Sequence, residues 1–219
     1  DAGEVAVSSD GEEYALAVDG EIVLVNKELG GRAVVAVPGP WLEQSLSFRP
    51  GSADTLLFVG DRDGEDTVCL LVSDDEEEPM LRAARAYRIV TLTDGKTPCT
   101  DPQWSPEGDR ILYTRGNGDL RVMDADGKND DTLFESWNIG DYAWSPDGHW
   151  IAFSRSDRNY NSDIFIMPST GGDEVNVTRH PDYDEGPVWS ADGRVLAWST
   201  ARHDHDPNSR TFDVYALYL

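Results

Sequence analysis

Lysine is almost missing from this chain: three of 219 residues (Lys27, Lys96 and Lys128), with 18 basic side chains in all facing 42 acidic ones. The resulting net charge of −24 removes the attraction to phosphate on which nucleic-acid binding depends, and it works equally against an anionic membrane. Cysteine is nearly as scarce. Cys69 and Cys99 are too few for a disulfide framework, and whether the two pair stays open, as does the redox compartment. No stretch approaches the roughly 18 to 20 apolar residues of a membrane-spanning helix, and no signal peptide opens the chain. The localisation, cytoplasmic or periplasmic, is therefore undecided. A sustained 3.6-residue apolar period is absent as well. Its nearest approach is a helical turn at Met80 to Ala86. There is no Gly-x-Ser-x-Gly elbow and no phosphate-binding glycine loop, so no catalytic residue and no cofactor are assigned.

What the chain does have is one short phrase written five times. Ser8-Ser9-Asp10-Gly11, Ser105-Pro106-Glu107-Gly108, Ser145-Pro146-Asp147-Gly148 and Ser190-Ala191-Asp192-Gly193 are four copies, and Arg49-Pro50-Gly51 is a worn fifth. Proline presets φ at the first central position, Asp tolerates the next, and Gly takes the left-handed conformation that closes a tight turn. The second residues of the copies are spaced by 41, 56, 40 and 45. Periods near forty, with several strands per unit, are the mark of a β-propeller of four-stranded blades. The turn is expected to join the innermost strand of a blade to the second. The residue before it (Val7, Phe48, Trp104, Trp144 or Trp189) is a large apolar anchor that wedges between neighbouring blades.

The rest of each unit fits four strands. In the fourth, these are Asp141 to Pro146, Trp150 to Ser156, Asp163 to Met167 and Glu174 to Thr178. The third-strand signal, an acidic residue before alternating apolar ones, recurs at Glu21, Asp66, Asp119 and Asp213. The expected architecture is all-β, with antiparallel blades over approximately 1–39, 40–95, 96–137, 138–180 and 181–219. The last blade lacks its outer strand, and the N-terminus opens on an inner strand instead of supplying one. The ends read as those of a larger, unclasped ring; a five-bladed ring with one short blade is the alternative.

Candidate sites are few. His203-Asp204-His205-Asp206 has metal-ligand chemistry but lies in a long loop, where a solvated surface is the better reading. Asp61 to Asp66 resembles the start of a calcium loop without its later bidentate Glu, and reads as a β-turn. The run Asp74 to Glu78 reads as a solvated loop tip. An Asp-rich, Lys-poor surface suits high salt, although a high-GC genome, where Arg displaces Lys, explains the composition equally. One constellation comes from the repeat itself. Three residues before each anchor stand Glu4, Ser45, Asp101, Asp141 and Gly186, with Glu185 beside the last. In a ring, Glu4, Asp101, Asp141 and Glu185 would gather at one mouth of the central channel and bind a cation or the amino end of a peptide. The competing reading is that they accept backbone hydrogen bonds.

The phrases Gln103-Trp104-Ser105-Pro106-Glu107-Gly108 and Ala143 to Phe153 resemble a repeat shared with TolB-type propellers. Asn161-Ser162-Asp163-Ile164-Phe165, Val175 to Pro181 and the ending Phe212 to Leu219 are more specific. With them the whole chain resembles the second propeller of the tricorn protease family, in particular its bacterial tricorn-like members. The resemblance implies an accessory role: guiding peptides towards, or products away from, a serine peptidase core that this chain does not contain. It implies peptide or protein partners, and PDZ and peptidase domains in the same protein. Ser9, Ala191, the shortened Arg49 turn and the acidic insert of the second blade depart from the pattern. A TolB-like interaction scaffold is the alternative. The gating propeller of a prolyl-oligopeptidase-type enzyme is a third reading.

Overall fold

The computed structural model describes residues 2–27, 32–38, 41–62, 64–156, 161–201 and 212–219. Among them the alternating stretches become nineteen short strands and no α-helix. The first sheet is β1 (Ala2–Val7), β2 (Glu13–Val18), β3 (Glu21–Asn26) and β4 (Arg32–Val37). The second is β5 (Glu43–Phe48), β6 (Thr55–Gly60), β7 (Thr67–Ser73) and β8 (Tyr87–Thr91). The third is β9 (Cys99–Trp104), β10 (Arg110–Arg115), β11 (Asp119–Asp124) and β12 (Asp131–Phe134). The fourth is β13 (Ile139–Trp144), β14 (Trp150–Ser156), β15 (Ser162–Pro168) and β16 (Val175–Asn176). The fifth has three strands, β17 (Asp184–Trp189), β18 (Val195–Thr200) and β19 (Asp213–Tyr218). Within every sheet each strand lies beside the next in sequence, so all connections are hairpins and pairing is antiparallel.

The repeated phrase makes the first hairpin of its sheet. The Gly amide donates to the Ser carbonyl three residues back, at 2.9 Å for Gly11, 2.8 Å for Gly108 and 2.9 Å for Gly148 and Gly193. The four glycines hold φ between +69° and +74°, where a Cβ is strained. Serine turns out to be the hub of the bend. Its Oγ accepts the amide of the residue five further on, namely Glu13, Arg110, Trp150 or Val195, at 2.9 to 3.0 Å. It also donates to a carboxylate: Asp10, Asp147 and Asp192 within the bend, and Asp109 where Glu107 stands in the third copy. Ser8, Ser105 and Ser145 are buried, so these bonds satisfy a hydroxyl and an amide that water does not reach. The worn copy keeps the bend, with Ser52 N–H donating to Arg49 O at 3.2 Å, but has no hub. Arg49 instead donates from Nε to Gly108 O on the neighbouring sheet at 2.8 Å.

Two compact units hold these sheets: Asp1–Gly116 with Arg121–Asp131, and Asn117–Leu120 with Thr132–Leu219. In the first unit, β6 is buried along its whole length. Leu56 and Phe58 join a cluster with Ile22, Leu24 and Leu71, whereas Leu57 joins one with Trp104, Ile111 and Tyr113. A strand covered on both faces needs a continuous apolar run and not alternation, which explains Leu56-Leu57-Phe58-Val59. Each fully buried Leu or Phe contributes about 1.5–3 kcal/mol of transfer free energy. In the second unit, Ala152, Ile164, Leu196 and Trp198 form the corresponding core. Two of the anchors bridge sheets by a hydrogen bond: Trp104 Nε1 donates to Ser47 O in the first unit, and Trp189 Nε1 to Ala143 O in the second, each at 3.3 Å. Val7 is exposed, at 50%.

Met80 to Ala84 is a single turn, closed by the amides of Ala83 and Ala84 on Met80 O at 3.1 Å. Its Leu81 is fully buried in the first core, which anchors the insert of the second sheet. Both thiols are buried, and neither is in a disulfide. Cys69 lies on β7, and Cys99 begins β9.

Candidate functional site

Every first strand carries a β-bulge at one place, two to four residues before its anchor. The register slips between Ala2 and Glu4 in β1, between Gln44 and Ser47 in β5, and between Thr100 and Gln103 in β9. It slips again between Ile139 and Tyr142 in β13 and between Glu185 and Val188 in β17. Ser45, Asp101 and Gly186 sit in these bulges with φ of 58°, 52° and 62°. A bulge withdraws an amide from the ladder and aims it sideways. In the first unit the Ser45 amide is captured by Glu4 Oε2, and in the second the Gly186 amide by Asp141 Oδ2 at 3.2 Å. Glu4 and Asp141 therefore each tie one first strand to the next. That is the hydrogen-bonding role weighed above for these positions. Asp101 and Asp141 are exposed, and Glu4 and Glu185 half-buried. Glu4 and Asp101 belong to one unit, Asp141 and Glu185 to the other.

Two groupings had no signal in the sequence. At the start of β5 the Glu43 side chain is fully buried, and its Oε1 accepts Arg62 Nε at 3.2 Å and the Arg62 terminal nitrogen at 2.9 Å. The same guanidinium stacks 4.3 Å from the Trp41 ring centroid. Burial pushes the Glu43 carboxyl up from its ordinary value, against the pull of Arg62. In the second unit Arg155 lies 4.0 Å from the Phe165 ring and 4.8 Å from Phe134, and is bound to Glu174 at 3.0 Å. It forms one wall of an open hollow beside Trp137, which is 84% exposed. Aromatic rings packed on a guanidinium leave no trace in spacing, because their members come from different strands.

Among the described residues no cluster of His, Cys, Asp or Glu has the geometry to hold a metal ion. His203 and His205 lie outside the described residues. So does Asp63 of the Asp61 to Asp66 stretch, where the Gly64 amide donates to Asp61 O at 3.3 Å as a turn does. No helix among the described residues is long and apolar enough to cross a membrane.

Antiparallel sheets of four strands, and a fifth of three, four of them opened by the same Ser-centred hairpin, are the blades of a β-propeller. The chain belongs to the TolB β-propeller (PD40) family, whose model matches residues 80–213. It is 24% identical over 208 residues to tricorn protease homolog 1 of Streptomyces coelicolor, a match covering 91% of this chain and 19% of that protein. It is 26% identical over 163 residues to the uncharacterized peptidase YuxL of Bacillus subtilis, covering 74% of this chain and 22% of that one. The crystal structure of the tricorn protease aligns with a TM-score of 0.74 at 14% identity, over 100% of this chain and 21% of that chain. The chain thus spans about a fifth of the length of each.

Proposed function

We propose that this chain is the propeller region of a tricorn-like serine peptidase, in which it guides or gates peptide substrates or products. One observation carries the reading: similarity to the Streptomyces tricorn homologue runs along 91% of this chain, whereas the family model by itself speaks only for a propeller. The chemistry is then done elsewhere in the protein, in a peptidase region accompanied by a PDZ domain. The bulge carboxylates Glu4, Asp101, Asp141 and Glu185 offer acceptors to the amino end of a passing peptide. The net charge of −24 favours cationic segments over acidic ones.

The test is the complete gene product. It is expected to contain the PDZ and peptidase regions and to hydrolyse peptides. Glu185→Gln and Asp101→Asn are expected to raise KM for peptides with a free amino end, while leaving kcat within twofold. A gene product with a signal peptide, a small α/β domain and no peptidase core would instead establish a TolB-like protein-interaction scaffold. An α/β-hydrolase domain would establish the gating propeller of a prolyl-oligopeptidase-type enzyme.

A further inference from the structure

Glu13 opens β2 at the position held by Arg110, Trp150 and Val195 after the other Ser-centred turns. Those three are half-buried or exposed, whereas Glu13 is 0% exposed, and neither of its carboxylate oxygens completes a hydrogen bond. An ionised carboxylate buried without a partner is among the least favourable arrangements in a fold, so such a group takes up a proton or draws a counter-charge. Glu13 lines a cavity of about 250 Å³ between the first sheet and the insert of the second. Leu24, Val34 and Leu81 make its apolar wall. The size suits one side chain and falls below the 300–1,000 Å³ usual for whole small-molecule ligands.

The charged and titratable groups around Glu13 come from three elements. The preceding turn brings Asp10, which is bound to Arg82 at 3.3 Å, and Glu12, which is paired with Lys27 at 3.7 Å. The insert brings Arg82 and Arg85, and β8 brings Tyr87. The Tyr87 hydroxyl is committed to Leu81 O and Ala84 O at 3.2 Å each. Desolvation lifts the Glu13 carboxyl from 4.5 to about 7, outweighing the charge and the backbone amide of Arg82, which pull it down, while Asp10 pushes it up. Within this unit the described residues offer Glu13 no full counter-charge.

We infer that this cavity is a binding site for a primary alkylammonium, with the apolar stem against Leu24, Val34 and Leu81 and the ammonium on the Glu13 carboxylate. A lysine side chain and the free amino end of a peptide share that chemistry. An ammonium on a four-carbon stem matches a carboxylate at the end of an apolar hollow. The acidity of the whole chain raises the local concentration of such cations.

The experiment is a calorimetric titration of the full chain with three probes: Nα-acetyl-lysine methylamide, alanyl-alanine amide and the uncharged Nα-acetyl-norleucine methylamide. At pH 8 the lysine probe or the amino-end probe is expected to bind at least tenfold more tightly than the norleucine probe. Which of the two does so tells a side-chain site from a terminus site. Between pH 8 and pH 6 affinity is expected to fall about tenfold, as a carboxylate titrating near 7 takes up its proton. Glu13→Gln is expected to abolish the preference for charge while folding at least as stably as the parent, because it removes a buried charge. Equal binding of the norleucine probe, unchanged binding by folded Glu13→Gln, or no binding of either amine by the parent chain would each overturn the assignment.

Discussion

Asp10 and Glu13 are carboxylates three residues apart at one hairpin, and their surroundings push them in opposite directions. Asp10 is exposed and accepts the Ser8 hydroxyl at 2.6 Å and the Glu12 amide at 3.1 Å; with the Arg82 charge nearby, these hold its carboxyl below the ordinary value. Glu13 has its own amide bonded to the same Ser8 hydroxyl, but its side chain is turned inward, and burial lifts it to about 7 against the pull of Arg82. The turn carboxylate completes a local hydrogen-bonding unit that recurs at Asp147 and Asp192. The buried one interrupts a core, and the equivalent positions after the other Ser-centred turns hold Arg110, Trp150 and Val195. Recurrence marks a residue that folds the chain; a departure at an equivalent position marks a residue with another use.

The largest test of this contrast is Glu13→Gln. Because the folded-state value lies above the ordinary 4.5, the parent loses stability as pH rises from 4.5 through 7. At pH 8 the variant is expected to be more stable by up to about 3 kcal/mol, less the cost of burying an amide, and equal to the parent below pH 4. Urea unfolding at both pH values checks the sign. Ser145→Ala removes a turn hub and leaves the Trp150 amide without its acceptor, a loss of about 1–3 kcal/mol in the same measurement. Arg49→Ser is a smaller perturbation. It restores a hub to the worn turn but gives up the bond to Gly108 O, so the net change is expected within about 1 kcal/mol, with Arg49→Ala the less stable of the pair. The smallest effect is that of Asp147→Asn. The Ser145 hydroxyl and the His149 amide lower the Asp147 carboxyl, so its contribution is present at neutral pH and fades as pH falls through its depressed value. The variant is expected to show a shallower loss of thermal stability in acid than the parent.

Much of the fold was legible because the information is local. A Ser-Pro-Asp-Gly phrase needs only its own backbone to bend, and the strands on either side follow from period and composition. The third-strand signals at Glu21, Asp119 and Asp213 open β3, β11 and β19, and the signal at Asp66 falls one residue before β7. The candidate site was less legible, because its bonds join residues far apart. Glu4 meets the amide of Ser45, 41 residues on, and Glu13 is covered by an insert around Arg82. Nothing near Glu13 in sequence announces that cover. The bulges were equally hidden, since they are set by the pairing of two strands and not by the composition of one. Even so, Asp101 and Gly186, with φ near +50° to +60°, are residue types that tolerate the conformation.

β19 has a consequence for how the molecule behaves in solution. Among the described residues its outer side carries no fourth strand, and Val214 and Tyr218 on it are 77% and 82% exposed. Exposed apolar side chains such as these favour association through this strand, and the net charge of −24 opposes it. What holds copies apart is then long-range repulsion between like-charged particles, which reaches about 30 Å at 0.01 M salt and about 3 Å at 1 M. Association through this strand is therefore expected to depend on ionic strength: dilute salt keeps copies apart, and concentrated salt lets them approach.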